Sequence, residues 1–208
     1  MELNFDIWRE RLFTSVSNLS RTSKGATNKA YVEKPSLLIT DPALLRRQTA
    51  QNLRLAISHV WIRGPLVKAE KMDVRLFIDT LAARISEELL PPDRRVRTWE
   101  LDKKKYPEGL SPHELPLWLP VFYKSVAVIL ADTGRDPVQS AAWIERVFDA
   151  RLHPLVDGCG RVAKLLGAWI LLCGEKYPAY FCDRDEYYSA MMSSVQIWEN
   201  FYRAHVSS

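Results

Sequence analysis

HPLVDGCGR, residues 153–161, decides how the chain is read. A His, an Asp, two Gly flanking a Cys, and an Arg stand together there, and the apolar run Val162–Cys173 follows directly. Glycines at the mouth of a helix leave main-chain N–H groups open to an anion, and the helix dipole favours negative charge at that end. Gly158 and Gly160, with Cys159 between them, therefore predict a phosphate seat. Arg161 on the first turn can meet phosphate oxygens through paired donors, and Lys164 follows on about the same face. Asp157 suits a divalent cation shared with the phosphates, or a cap for the helix. His153, fixed by Pro154, carries an imidazole that titrates near neutrality and can take a proton from an attacking hydroxyl. The same residues also fit a plain helix–helix turn, with His153 and Asp157 as caps and Arg161 facing solvent or paired with Glu145 or Asp149.

Outward from this stretch, Pro137 to about Leu152 reads as a helix leading in, and Gly158 or Cys159 to near Gly174 as one leading out. Residues 137–175 thus form a helix-loop-helix. Helical spacing also predicts helices over 2–13, 42–60 and 69–90, from Trp118 or Pro120 to Ala131, and over 184–205. Gly64-Pro65 and Pro91-Pro92 are read as stops. Residues 14–36, rich in Ser, Thr, Asn and Lys, predict a flexible arm. Val96–Leu101 alternates loosely and is the one candidate strand, so 94–110 predicts a hairpin or long loop. The expected fold is all-α, a single domain over residues 1–208.

Composition narrows the function classes. A chain of 208 residues with 47% hydrophobic content can bury a sizeable core. A net charge of +4 with dispersed basic residues favours anionic ligands, and nothing resembles a nucleic-acid-reading motif. The 3 cysteines, Cys159, Cys173 and Cys182, form no CxxC pair, which argues against a disulfide scaffold or a structural zinc site and suits a reducing, cytoplasmic setting. No signal peptide and no membrane span is expected, because the longest apolar run is short and contains Lys164.

The stretch resembles the signature of the Fic family, written HPFxxGNGRxxR, and DPVQSAAWIERVFDARL resembles that family's helix into the signature. The resemblance implies a Fic-like helical bundle with a short β-hairpin flap, here 94–110, that positions the target. It implies His153 as general base, Asp157 as ligand of Mg2+, and Gly158, Cys159, Gly160, Arg161 and Lys164 around the nucleotide phosphates. The implied reaction moves AMP from ATP to a Ser, Thr or Tyr hydroxyl of a target protein. Some relatives use other nucleotides, transfer phosphocholine, or phosphorylate.

Three departures bear on that expectation. Leu155 replaces Phe, a packing change. Lys164 replaces the second Arg, keeping charge but losing the planar fork. Cys159 replaces an Asn, and a thiol is a weak donor and acceptor. These leave open a degenerate binding or regulatory module, or an enzyme with a different donor or a small-molecule acceptor. In the family an inhibitory helix carries Ser or Thr followed, after three residues, by Glu and then Gly or Asn. VQIWEN, residues 195–200, matches only at Glu199-Asn200, so Glu199 pairing with Lys164 is one reading and a solvent-facing Glu199 the other. A separate inhibitory protein and a homo-oligomer are both compatible with the sequence.

Overall fold

Helix starts are written into this chain by short polar side chains that accept the first free main-chain N–H groups. Asn4 caps α1 (Phe5–Leu19), Asp41 caps α2 (Pro42–Lys68) and Asp73 caps α3 (Val74–Ser86). Helix α4 (Leu115–Ala131) begins with Pro116 in its first turn and has no side-chain cap. Asp136 caps α5 (Pro137–Arg146), Asp183 caps α7 (Arg184–Met191) and Ser194 caps α8 (Val195–Ala204). Between α5 and α7 lies α6 (Cys159–Cys173), which starts at Gly158 without a side-chain cap. The structure, a computed structural model, describes residues 3–20, 38–69 and 72–206.

Helix α6 is the axis of the fold. Val162, Leu165, Leu166, Trp169 and Leu171 are fully buried, and α1, α2, α3 and α5 pack around them. A helix apolar on every side needs such a sleeve. Helices α7 and α8 close the far side of α5 through an aromatic cluster of Phe181, Tyr187, Trp198 and Tyr202. Among the described residues, no helix is long and apolar enough to cross a membrane.

Several sequence expectations shift. Helix α1 runs on to Leu19, because Val16 and Leu19 are buried, so residues 14–20 of the expected arm are ordered against the core; 21–36 lie outside the described residues. Helix α2 passes through Gly64-Pro65 instead of stopping. Gly64 lies flat under Trp169, whose Nε1 donates to the Gly64 carbonyl at 3.1 Å, and packing outweighs the proline penalty. Helix α3 begins at its Asp73 cap, later than residue 69, and Leu89 and Leu90 close it by donating to the Ser86 carbonyl. The terminal stretch splits into two helices because Arg146 takes the carbonyls of Met191 and Ser193 and Ser194 caps anew.

The expected β-hairpin flap is absent: no strand pair forms over 94–110. Its main chain pairs instead with the 153–156 loop, through one antiparallel bridge between Val96 and Leu155. Arg97 N–H donates to Pro154 O at 2.9 Å, Val156 N–H to Arg95 O at 2.8 Å, and Leu110 N–H to Arg151 O at 2.8 Å. The segment is stapled across the motif and has no return strand to pair with.

Candidate active site

Helix α5 does not end cleanly. Residues Val147–Leu152 widen into a π-helical turn, a feature common at functional sites, and His153 N–H closes it on Phe148 O at 2.9 Å. His153 then adopts the left-handed conformation, φ 40° and ψ 56°, directly before Pro154. Such a backbone state costs a non-glycine residue on the order of 1–3 kcal/mol and persists only where neighbours hold it.

Arg97 is the neighbour that holds it. Its guanidinium is 1% exposed and faces carbonyls only: His153 at 2.8 Å, Trp99 at 2.5 Å, Leu110 at 2.9 Å and Leu152 at 3.2 Å. Burial pushes its pKa down, opposed by nearby Cys159 and Glu100. Two of those carbonyls, Leu152 and His153, end the π turn, where the negative end of a helix favours a cation; the other two belong to the 94–110 segment.

The imidazole is positioned from inside the same turn. His153 Nδ1 lies 2.8 Å from the Asp149 main-chain carbonyl and 3.2 Å from Asp149 Oδ1. A carbonyl can only accept, so Nδ1 carries a proton, and Nε2 is the nitrogen that can gain or lose one. Burial works against a charged His153, but Cys159 and the Asp149 carboxylate outweigh it and raise its pKa well above 6.5. Tyr106 packs against the imidazole in a tilted arrangement, with ring centres 4.7 Å apart, so this residue of the expected flap faces the base. Trp99 packs on Leu90 and Val156 instead.

The glycine turn follows. Gly158 has φ 88°, and a Cβ there would stand 2.7 Å from Ile85 and 3.4 Å from Arg161 Nη2, so glycine is required twice over. Arg161 is buried, its Nη2 pairs with Asp157, and its Nη1 is buried without a hydrogen-bond partner. Arg161 thus pairs with Asp157, not with the Glu145 or Asp149 that a plain turn would offer it. The Cys159 thiol is also engaged: Leu155 N–H donates to Sγ at 3.2 Å and Sγ lies 3.4 Å from Leu155 O.

Gly160 and Lys164 face elsewhere. A Cβ on Gly160 would meet the Tyr188 hydroxyl at 2.8 Å and Asp149 Oδ2 at 3.2 Å, so this glycine makes room for side chains behind the turn. Lys164 is buried, with Nζ 3.8 Å from the Tyr187 ring centre and 3.4 Å from Gly160 O. Burial lowers its pKa, while Glu145 and Asp149 act to raise it. Glu145 is the internal carboxylate of this network, accepting from Tyr187 at 2.9 Å and Tyr202 at 2.7 Å. Glu199 does not pair with Lys164: it receives Gln139 Nε2 at 3.3 Å and lines a cleft of about 210 Å³ with Arg146 and Arg151.

Sequence reasoning offered Asp149 and Glu145 only as partners for Arg161, and placed Arg97 and Tyr106 only within the expected flap. Asp149 was within reach, since it stands four residues before His153 on the helix leading in. Glu145 lies on that same helix, whereas Arg97 and Tyr106 come from the distant 94–110 segment and carried no local signal.

No family model matches the sequence, and no curated protein matches it. Solved structures do. A Fic domain-containing signaling protein from Bacteroides thetaiotaomicron superposes with TM-score 0.71 at 14% identity, over 96% of this chain and 85% of that one. Fic-1 from C. elegans superposes with TM-score 0.65 at 18% identity, over 96% of this chain and 61% of that one. IbpAFic2 covalently tethered to Cdc42 superposes with TM-score 0.63 at 14% identity, over 98% of this chain and 63% of that one. The chain therefore has the fold of Fic domain proteins, and it spans about three fifths of the latter two structures.

Proposed function

We propose that this Fic-fold chain is a nucleotidyltransferase that moves AMP from ATP to a Ser, Thr or Tyr hydroxyl of a target protein. The observation that supports it most is the meeting, at one turn, of a held imidazole and an uncapped helix start with a spare guanidinium N–H. A buried N–H without a partner costs about 1–3 kcal/mol, and a phosphate oxygen is a partner that would remove that cost. Asp157, a hard oxygen donor beside Arg161, would hold Mg2+, which shields phosphate charge.

The chain's own residues supply the rest. His153 Nε2 takes the proton of the attacking hydroxyl as its oxygen bonds to the α-phosphorus and pyrophosphate leaves. Asp149 keeps the imidazole in the needed tautomer and stabilises the imidazolium that forms. Arg161 and the first N–H groups of α6 take up charge on the phosphate. A protein acceptor is supported by the neighbour tethered to Cdc42. A separate inhibitory protein and self-association stay compatible with this reading.

One set of contacts favours a second reading, a nucleotide-binding regulatory module with little transfer. The Cys159 thiol is spent on Leu155, and the Lys164 charge faces inward. ATP labelled at the α- or the γ-phosphate, incubated with the protein and a cell lysate, separates the two. We expect α-label on protein, no γ-label, and a loss of at least ~10²-fold in His153→Ala. Nucleotide binding without label would favour the module; neither binding nor label would overturn both.

A further inference from the structure

The sequence holds no CxxC pair, yet the fold gathers three metal-type donors from 149–159. One ligand atom each of Asp149, His153 and Cys159 lies within 4.8 Å of the others, with Asp149 and Cys159 buried and His153 half-buried. His153 Nδ1 and Asp149 Oδ1 are 3.2 Å apart. Two donors about 2.0–2.1 Å from a tetrahedral ion stand about 3.3 Å from each other, so this pair is already spaced for one.

We propose that Asp149, His153 and Cys159 form a site for a zinc-class divalent cation, separate from the magnesium position assigned to Asp157. The donor set is what selects the metal: thiolate with imidazole suits zinc, whereas magnesium takes oxygen donors and octahedral geometry. The charges balance, because carboxylate and thiolate together cancel the 2+ ion. Three protein ligands leave the fourth position to water, reached past His153, whose side chain is 19% exposed. Loading the ion displaces the Nδ1 proton and the thiol proton, and the Cys159 sulfur gives up its contacts with Leu155.

The site has a consequence for the chemistry, and that consequence rests on the transferase reading. With the metal on Nδ1, the imidazole is neutral only with its one proton on Nε2, so Nε2 cannot accept another from a hydroxyl. Zinc therefore switches transfer off by occupying the base.

Cobalt is the probe, since a thiolate on Co2+ gives near-ultraviolet charge-transfer absorption and tetrahedral Co2+ gives intense visible bands. Titration of the reduced full chain with Co2+ should produce both, and Zn2+ but not Mg2+ should abolish them. Cys159→Ser should lose the charge-transfer band and Asp149→Asn should weaken Co2+ binding at least ~10-fold, each with an unchanged far-ultraviolet circular dichroism spectrum. Cys182→Ser, at the exposed cysteine, should keep both bands. A wild-type titration without the charge-transfer band, or a band that survives Cys159→Ser, overturns the site. If the site loads while no nucleotide labels any protein, the metal proposal stands and the transferase reading falls.

Discussion

At the scale of single residues, the fate of the positive charges separates the two halves of the motif. Arg161 keeps an unpartnered buried N–H at the turn, while Lys164 lies on the Tyr187 ring among Glu145 and Asp149. Arg161→Ala should weaken nucleotide binding at least ~10-fold, the loss of one charge-assisted contact of about 1.4 kcal/mol. Lys164→Met should change that affinity by less than about 3-fold and lower the melting temperature instead. Calorimetric titration with ATP checks both, and equal losses would return Lys164 to the phosphate seat. His153, Asp157, Gly158 and Arg161 could be proposed from sequence because their chemistry is packed into one short stretch. Lys164 was misplaced because spacing from Arg161 puts it on the same face, while Leu165, Leu166 and Trp169 around it mark a helix buried on all sides.

At the scale of elements, the 94–110 segment and α6 carry the site. The segment reads as a hairpin because Val96–Leu101 alternates, but its hydrogen bonds run to the motif loop, and no pattern in the sequence reveals that Arg97 serves as the staple. Arg97→Met strips the donor from four carbonyls and should cost about 3 kcal/mol, on the order of 10 °C in melting temperature for a chain of this size. Arg97→Lys, with its charge but no fork, should recover part of that loss. Thermal unfolding followed by circular dichroism reads both, and an unchanged Arg97→Met would remove the staple. On α6, a Cβ at Gly167 would stand 2.6 Å from the Tyr202 hydroxyl and would also overlap Glu145, so Gly167→Ala should destabilise by about 1–3 kcal/mol in denaturant titration. An unaltered midpoint would show that the α5–α6 contact is looser than described.

At the scale of the whole molecule, α5, α6, α7 and α8 meet on one buried carboxyl. Burial pushes Glu145 up from 4.5 to about 7, against the pull of Lys164, Tyr202 and Tyr187, while Asp149 pushes the same way as burial. Between those two values the unfolded chain ionises and the folded chain does not. Stability should therefore be full below 4.5, fall by about 3 kcal/mol as pH rises to about 7, and level off above it. Glu145→Gln, which cannot ionise, should flatten that fall; an identical slope in wild type and variant would place the pH dependence elsewhere. The all-helical architecture was readable from apolar spacing and from the Asp and Ser caps, and the structural neighbours bear it out. Interior partnerships such as Glu145 with Tyr187 and Tyr202 were not, because they join residues 42 and 57 positions apart. The claim that the turn is a working transferase site is tested most directly by mass spectrometry of proteins recovered after incubation with ATP and Mg2+. The account predicts a Ser, Thr or Tyr carrying one AMP with the wild type and none with His153→Ala. The same modification at undiminished level in His153→Ala would contradict it.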